Sequence, residues 1–255
     1  MIELINDLGI TNVQWVLAAL CGLLIGMAKT GLSAIGLISV VILAALFGGK
    51  ASAGIALPML CVADIMAVLY YNKHADFKLI FKLLPWILIG IVAGLFTGNF
   101  ISDQMFKITI GSIVLLCVFL MIALNRALKK TDLSGSWWLA VPAGFMGGVA
   151  TMIGNAASPI IIVYFLAMKL PKNEFIGTGA WFFLIINLIK LPLHFFFWHT
   201  ISTTTLLFNL MLTPAIFLGG IAGIFLVKKI PNKEYVIFIQ ASTLLSALVL
   251  IFKNL

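Results

Sequence analysis

Hydrophobic and polar positions along this chain do not alternate; they fall in long blocks. Ten apolar runs stand at roughly 13–28, 32–48, 52–71, 81–101, 105–125, 137–153, 156–169, 175–198, 204–227 and 234–252. Runs of about 16 to 25 residues are what helices need to cross a hydrocarbon layer about 30 Å thick. A membrane barrel would instead show strands of about 10 residues alternating in polarity. The pattern therefore predicts an all-α membrane protein. Two neighbouring pairs of runs are short. The first two hold about 16 residues each, about 24 Å of helix, and the sixth and seventh are short as well. Each pair is broken by a polar, glycine-containing stretch, "AKTGLS" at 28–33 and "ATMIGNAAS" at 150–158.

That likeness suggests an internal repeat. Sliding the chain by about 122–125 residues places Gly22 and Gly26 on Gly144 and Gly148, and Ser33 on Asn155. It also places Gly54 on Gly177, Asp64 on Asn187, and Gly94 and Gly98 on Gly219 and Gly223. Two five-segment halves result, residues 1–124 and 137–255, joined by the polar linker 125–136. An odd segment number turns the second half upside down relative to the first.

Charge supports that reading. With the N-terminus outside, the inner connections hold Lys73, Lys78, Lys82, Arg126, Lys129, Lys130, Lys169, Lys172, Lys228, Lys229 and Lys233, whereas the outer side holds Lys50, Lys107 and Lys253. This 11-to-3 bias follows the positive-inside rule and makes the linker cytoplasmic and both termini external. The expected architecture is eight to ten transmembrane segments in two inverted repeats, each beginning with a short interrupted or re-entrant helix pair. Composition agrees: 63% of residues are hydrophobic, 9% are charged, and mean hydropathy is +1.20, against about 25% charged in soluble domains. The net charge of +8 is explained by these loop clusters and not by nucleic acid.

Paired interrupted segments in inverted halves point to a transporter binding site. A broken helix exposes backbone N–H groups at a partly positive end. The helices starting near Leu32 and Asn155 aim two such ends inward, with Ser33 and Asn155 as candidate caps, and two positive ends favour an anion. Lys29 stands beside the first break, where an intramembrane lysine costs about 2.5–3.5 kcal/mol and so marks a functional candidate. Its alternatives are snorkelling to the inner interface or a structural pair with Asp64. Asp64 is the acidic residue deepest in an apolar run, a candidate proton carrier or half of a salt bridge. Asn187, Lys190 and His194 share one face of the eighth segment. Lys190 is a second anion contact or an Asp64 partner, and His194 a proton relay or an interfacial group. Trp198 and His199 read as an interfacial belt. Cys21, Cys61 and Cys117 have no CxxC spacing and read as apolar fillers, the alternative being contact with a reactive sulfur substrate, above all for Cys61.

The stretches "GLLIGMAKTGLSAIG", "SAGIALPMLCVADIMAVLYYNK", "ILIGIVAGLFTG" and "GFMGGVATMIGNAASP" together resemble the sulfite exporter TauE/SafE family, also described as the 4-toluene sulfonate uptake permease family. The resemblance spans nearly the whole chain. It implies a multi-pass secondary transporter of the cytoplasmic (inner) membrane, ion-coupled, carrying small and often sulfur-containing anions such as sulfite, thiosulfate or organosulfonates. The motif positions are Lys29, Thr30, Gly31, Ser33, Asp64, Gly154, Asn155 and Ser158. The second half has Thr151 where the first has Lys29, so the site is expected to be asymmetric, with Lys190 supplying the second charge.

An intramembrane enzyme is disfavoured, since the chain has no GxSxG, no HExxH and no paired acidic motif. No phosphate-binding GxxxxGK[ST] loop and no cofactor motif occurs. An anion channel or a membrane scaffold remains the alternative to a carrier. The expected partners are the anion and membrane lipid; a homo-oligomer is allowed, and the sequence sets neither direction nor coupling ion.

Overall fold

The computed structural model describes residues 10–100 and 137–232, with residues 102, 105, 108, 112, 234, 235, 237–239 and 241. Apart from those positions, the expected segments 105–125 and 234–252 and the linker 125–136 lie outside the described residues. What is described is helical, with no strand among it.

Helix α1, Asn12–Lys29, begins at a capping box. The Gln14 backbone N–H donates to Thr11 Oγ1, and the Thr11 N–H donates to Gln14 Oε1 at 2.9 Å. A 3₁₀ turn at Ser33–Ile35 leads into α2, Gly36–Phe47. Helix α3, Gly49–Tyr71, carries Pro58 in its interior. Helix α4, Phe77–Thr97, is capped by Asp76, whose carboxylate accepts from the N–H groups of Lys78 and Leu79. Next among the described helices come α5, Ala140–Gly154, and α6, Ser158–Ala167, with Pro159 in its first turn. Helix α7, Lys172–Phe196, follows Pro171. Helix α8, Thr203–Lys229, is capped by Ser202. Lys172 Nζ fastens the end of α8 by donating to the carbonyls of Val227 (3.0 Å) and Ile230 (2.7 Å).

Five of these helices, α1, α3, α4, α7 and α8, are long and apolar enough to cross a membrane. Helices α2 and α6, at 12 and 10 residues, reach only about 18 and 15 Å, short of the hydrocarbon thickness. Many large apolar side chains face outward, among them Leu69 (72% exposed), Phe81 (64%) and Leu210 (67%). Lipid accepts such a surface and water does not. The chain is a multi-pass membrane protein.

Within the bundle α1 packs on α8, α4 on α5, and α3 on α7. The first two contacts are glycine crossings. A Cβ at Gly26 would meet the Ile216 carbonyl and the backbone of Gly219 and Gly220, and a Cβ at Gly148 would meet the Ile87 carbonyl and Gly90 Cα. Small residues at these points let the backbones touch. The α3–α7 contact carries the polar groups, and it is framed by both helix breaks.

Candidate functional site

At the first break the chain turns because Gly31 adopts φ 131°, a value that disfavours any side chain. The Thr30 hydroxyl folds back to donate to the Gly26 carbonyl at 3.0 Å. Carbonyls freed by the break are taken up by tyrosines: Tyr235 Oη donates to Gly31 O at 2.7 Å, and Tyr71 Oη to Thr30 O at 3.4 Å. A reciprocal contact ties α1 to α2, with Ser39 Oγ donating to Cys21 O at 3.4 Å. Tyr235→Phe is expected to lower stability by about 1 kcal/mol through the orphaned Gly31 carbonyl, seen as a lower unfolding temperature in detergent. Tyr70→Phe, on the exposed side of α3, is expected to leave that temperature unchanged.

At the second break Asn155 ends α5 in the left-handed conformation, φ 54°. Its amide Nδ2 donates to the Ala53 carbonyl of α3 at 2.9 Å, and its Oδ1 accepts from Lys190 Nζ of α7. The expected caps are thereby corrected. Neither α2 nor α6 has a side-chain N-cap: α2 starts after a 3₁₀ turn at Ile35 and α6 at Ala157. Ser33 lies inside that turn, and the Asn155 side chain is already engaged across the bundle.

Between the breaks, α1, α3 and α7 bring three ionisable side chains together. Lys29 Nζ lies 2.9 Å from Asp64 Oδ1, with Asp64 fully buried and the lysine side chain 11% exposed. The ammonium also sits 4.1 Å above the Phe183 ring. Asn187 Nδ2 donates to Asp64 Oδ2 at 2.6 Å. Lys190 is fully buried and donates to Thr151 Oγ1 at 3.0 Å as well as to Asn155. So Asp64 pairs with Lys29 and not with Lys190, the other partner the sequence allowed.

A cavity of about 60 Å³ lies in front of this cluster, room for roughly four waters. Its wall includes Lys29, Ser33, Asn155 and Ser158, the first residues of α2 (Gly36 and Leu37), and an apolar flank containing Phe165, Phe175 and Phe183. Four of the expected site residues thus meet at one space. Thr30, Gly31, Gly154, Asp64, Lys190 and His194 are outside that wall: the first three hold the breaks, and Asp64 and Lys190 contact its lining residues Lys29 and Asn155. His194 is buried one turn further along α7, its Nδ1 2.9 Å from Thr200 Oγ1. Trp198, expected in an interfacial belt, packs inside the protein rather than lying open to its surroundings. It is 6% exposed, and its indole N–H donates to Leu95 O at 3.2 Å, because the turn after α7 folds back onto the bundle; His199 beside it is exposed.

Sequence reasoning missed Tyr71, Tyr235 and Phe183 as parts of this region, and missed Thr151, placed opposite Lys29 in the repeat, as a partner of Lys190. A tyrosine hydroxyl within an apolar run needs a buried acceptor, which was the available signal for the two tyrosines. Chemically, the assembly offers one partly exposed cation, two helix N-termini and hydroxyl and amide donors around a small space, an arrangement suited to a small anion.

A family model described as Sulfite exporter TauE/SafE matches residues 18–250. No curated protein matches the chain.

Proposed function

Since the chain belongs to the sulfite exporter TauE/SafE family, we propose that it is a secondary transporter carrying small sulfur-containing anions, such as sulfite, thiosulfate or organosulfonates, across the cytoplasmic membrane. The carrying observation is the meeting of Lys29 with the starts of α2 and α6 at one cavity. Ser33, Asn155 and Ser158 add donors there. Thr30, Gly31 and Gly154 shape the breaks that aim the helix ends.

The inverted five-segment repeat, 1–124 and 137–255 about the linker 125–136, is part of this proposal. Reciprocal contacts support it. Gly219 faces Leu23 as Gly90 faces Phe145, and Gly223 faces Met27 as Gly94 faces Val149. Gly54 packs on Thr200 in the turn after α7, and Gly177 on Tyr71 and His74 in the turn after α3. By these contacts Gly90 and Gly94 correspond to Gly219 and Gly223, about one helical turn away from the match that sliding the sequence suggests. Eight to ten segments with both termini outside complete the proposed layout.

Proton coupling is assigned to Asp64, which an inward-facing lysine holds beside the cavity, with His194 as a more remote relay. Purified protein in sealed vesicles is expected to show saturable anion uptake that responds to an imposed pH gradient. Flux without saturation would indicate a channel, and no flux a scaffold. Asp64→Asn is expected to keep uptake but lose the response to the pH gradient; an unchanged response would return Asp64 to a structural role.

A further inference from the structure

Each oxygen of the Asp64 carboxylate has its own neighbour. Oδ2 accepts from Asn187 Nδ2 at 2.6 Å. Oδ1 lies 2.9 Å from Lys29 Nζ, and among the described residues it has no other partner. The other titratable groups facing this carboxylate are Cys61, one turn back on α3, and Lys190 on α7. Cys61 is a buried thiol, and Lys190 is bonded to Thr151 and Asn155. His194 lies a turn beyond Lys190 and is engaged by Thr200. Helices α2 and α5 carry no titratable side chain. Those of α8, Lys228 and Lys229, stand in its last turn, and Lys73 and His74 follow the end of α3. Lys29 is therefore the group that neutralises Asp64.

The same ammonium also belongs to the cavity. Lys29 is on its wall and Asp64 is not, so an anion entering there meets the lysine and not the carboxylate. One ammonium cannot neutralise two buried anions, and whichever is left without it is an uncompensated charge in a poorly screened interior. For the carboxylate, a proton removes that charge. Oδ2 already receives the Asn187 amide, so the proton has to settle on Oδ1, where the ammonium now sits. Oδ1 thus holds either the ammonium or a proton. The Phe183 ring, also on the wall and 4.1 Å from Nζ, keeps the ammonium at the cavity once it leaves the carboxylate.

We propose that the transported anion and Asp64 compete for Lys29, so that each anion bound draws a proton onto Asp64, and anion and proton cross the membrane in the same direction. The inference rests on the anion-carrier reading above and adds to it the sign of the coupling. In the step, the ion pair between Nζ and Oδ1 opens, Nζ pairs with the anion, and a proton from water joins Oδ1. No bond to the anion forms, and nothing is oxidised or reduced. Release of the anion returns Lys29 to Oδ1 and the proton to water. Sulfite, thiosulfate and organosulfonates are served alike, because the device responds to negative charge and not to what the sulfur carries.

Thiosulfate and methanesulfonate are the probes, since neither changes its own charge near neutral pH. Added to the purified full-length protein at about pH 8, in weak buffer with an indicator dye, the bound anion is expected to raise the pH by taking up about one proton per site. Affinity is expected to rise as the pH falls, by up to about tenfold per unit for one linked proton. In Asp64→Asn the proton count is expected to fall by about one, with tighter anion binding at about pH 8, because Lys29 is no longer shared. A proton going to Lys190 or His194 instead would survive that substitution, so a count unmoved in the folded variant overturns the inference. Weaker binding by the folded variant also overturns it, making Asp64 a support for Lys29 and not its rival. Proton release, or no proton movement, on binding to the unaltered protein overturns it without any variant and leaves the carrier reading intact. Binding of neither anion by the folded, unaltered protein overturns both.

Discussion

Lys29→Ala is expected to reduce anion uptake into vesicles by about thirtyfold or more. The lysine is the cation on the cavity wall, and losing one member of a buried charge pair costs about 2–5 kcal/mol in binding. Its removal also strands Asp64, which is fully buried, so stability should fall by about 3–5 kcal/mol. The two effects separate in the double variant Lys29→Ala/Asp64→Asn. With no stranded carboxylate, its unfolding temperature is expected to return most of the way to that of the unaltered protein. Uptake should stay at least about tenfold low, because the net charge is restored but the cation touching the cavity is not. Full recovery of uptake in the double variant would reduce Lys29 to the structural partner of Asp64.

Gly148→Val is expected to cost at least about 3 kcal/mol of stability. A side chain there would strike the backbone of Ile87, Gly90 and Ile91, and backbone atoms at a helix crossing cannot step aside as a flexible side chain can. Thermal unfolding in detergent, or the recovered fraction of folded protein, reads the loss directly. Gly179→Ala is the matched control. The nearest atom to its new methyl would be Phe165 Cε2 at an ordinary 3.8 Å, and replacing a helical glycine by alanine is favourable by up to about 1 kcal/mol. It should be neutral or stabilising. Comparable losses in both would remove the crossing as the explanation.

Helix positions were legible because length and apolar character are local properties: the runs at 13–28 and 204–227 correspond to Asn12–Lys29 and Thr203–Lys229. The breaks were legible for the same reason, since glycine and polar residues interrupt an apolar run wherever the chain goes next. The side chains' partners were not. Asn155 looked like a cap by its place before α6, but its φ of 54° and its two cross-bundle bonds come from α3 and α7, which no local pattern specifies. Lys190 could have paired with Asp64 by depth alone. The closer Lys29 and the intervening Asn187 decide the matter, and both are consequences of how the helices rotate in the packed bundle. Trp198 carried a boundary signal, but its bond to Leu95 comes from the turn after α7 folding back onto the bundle, which that signal does not contain.

The hydrogen bond from Asn187 to Asp64 joins residues 123 positions apart in the chain. Under the proposed repeat these two are each other's counterparts, so each touches its own image across the pseudo-twofold axis. Such a position is awkward for a homodimer of identical halves. Two aspartates held this close could not both ionise, while two asparagines could bond to one another. A fused chain is free of that restriction: once both copies lie on a single polypeptide, one can become acidic while the other remains an amide. Under that repeat, joining the halves sets a carboxylate beside an amide, where two identical subunits would place either two amides or two acids sharing one proton.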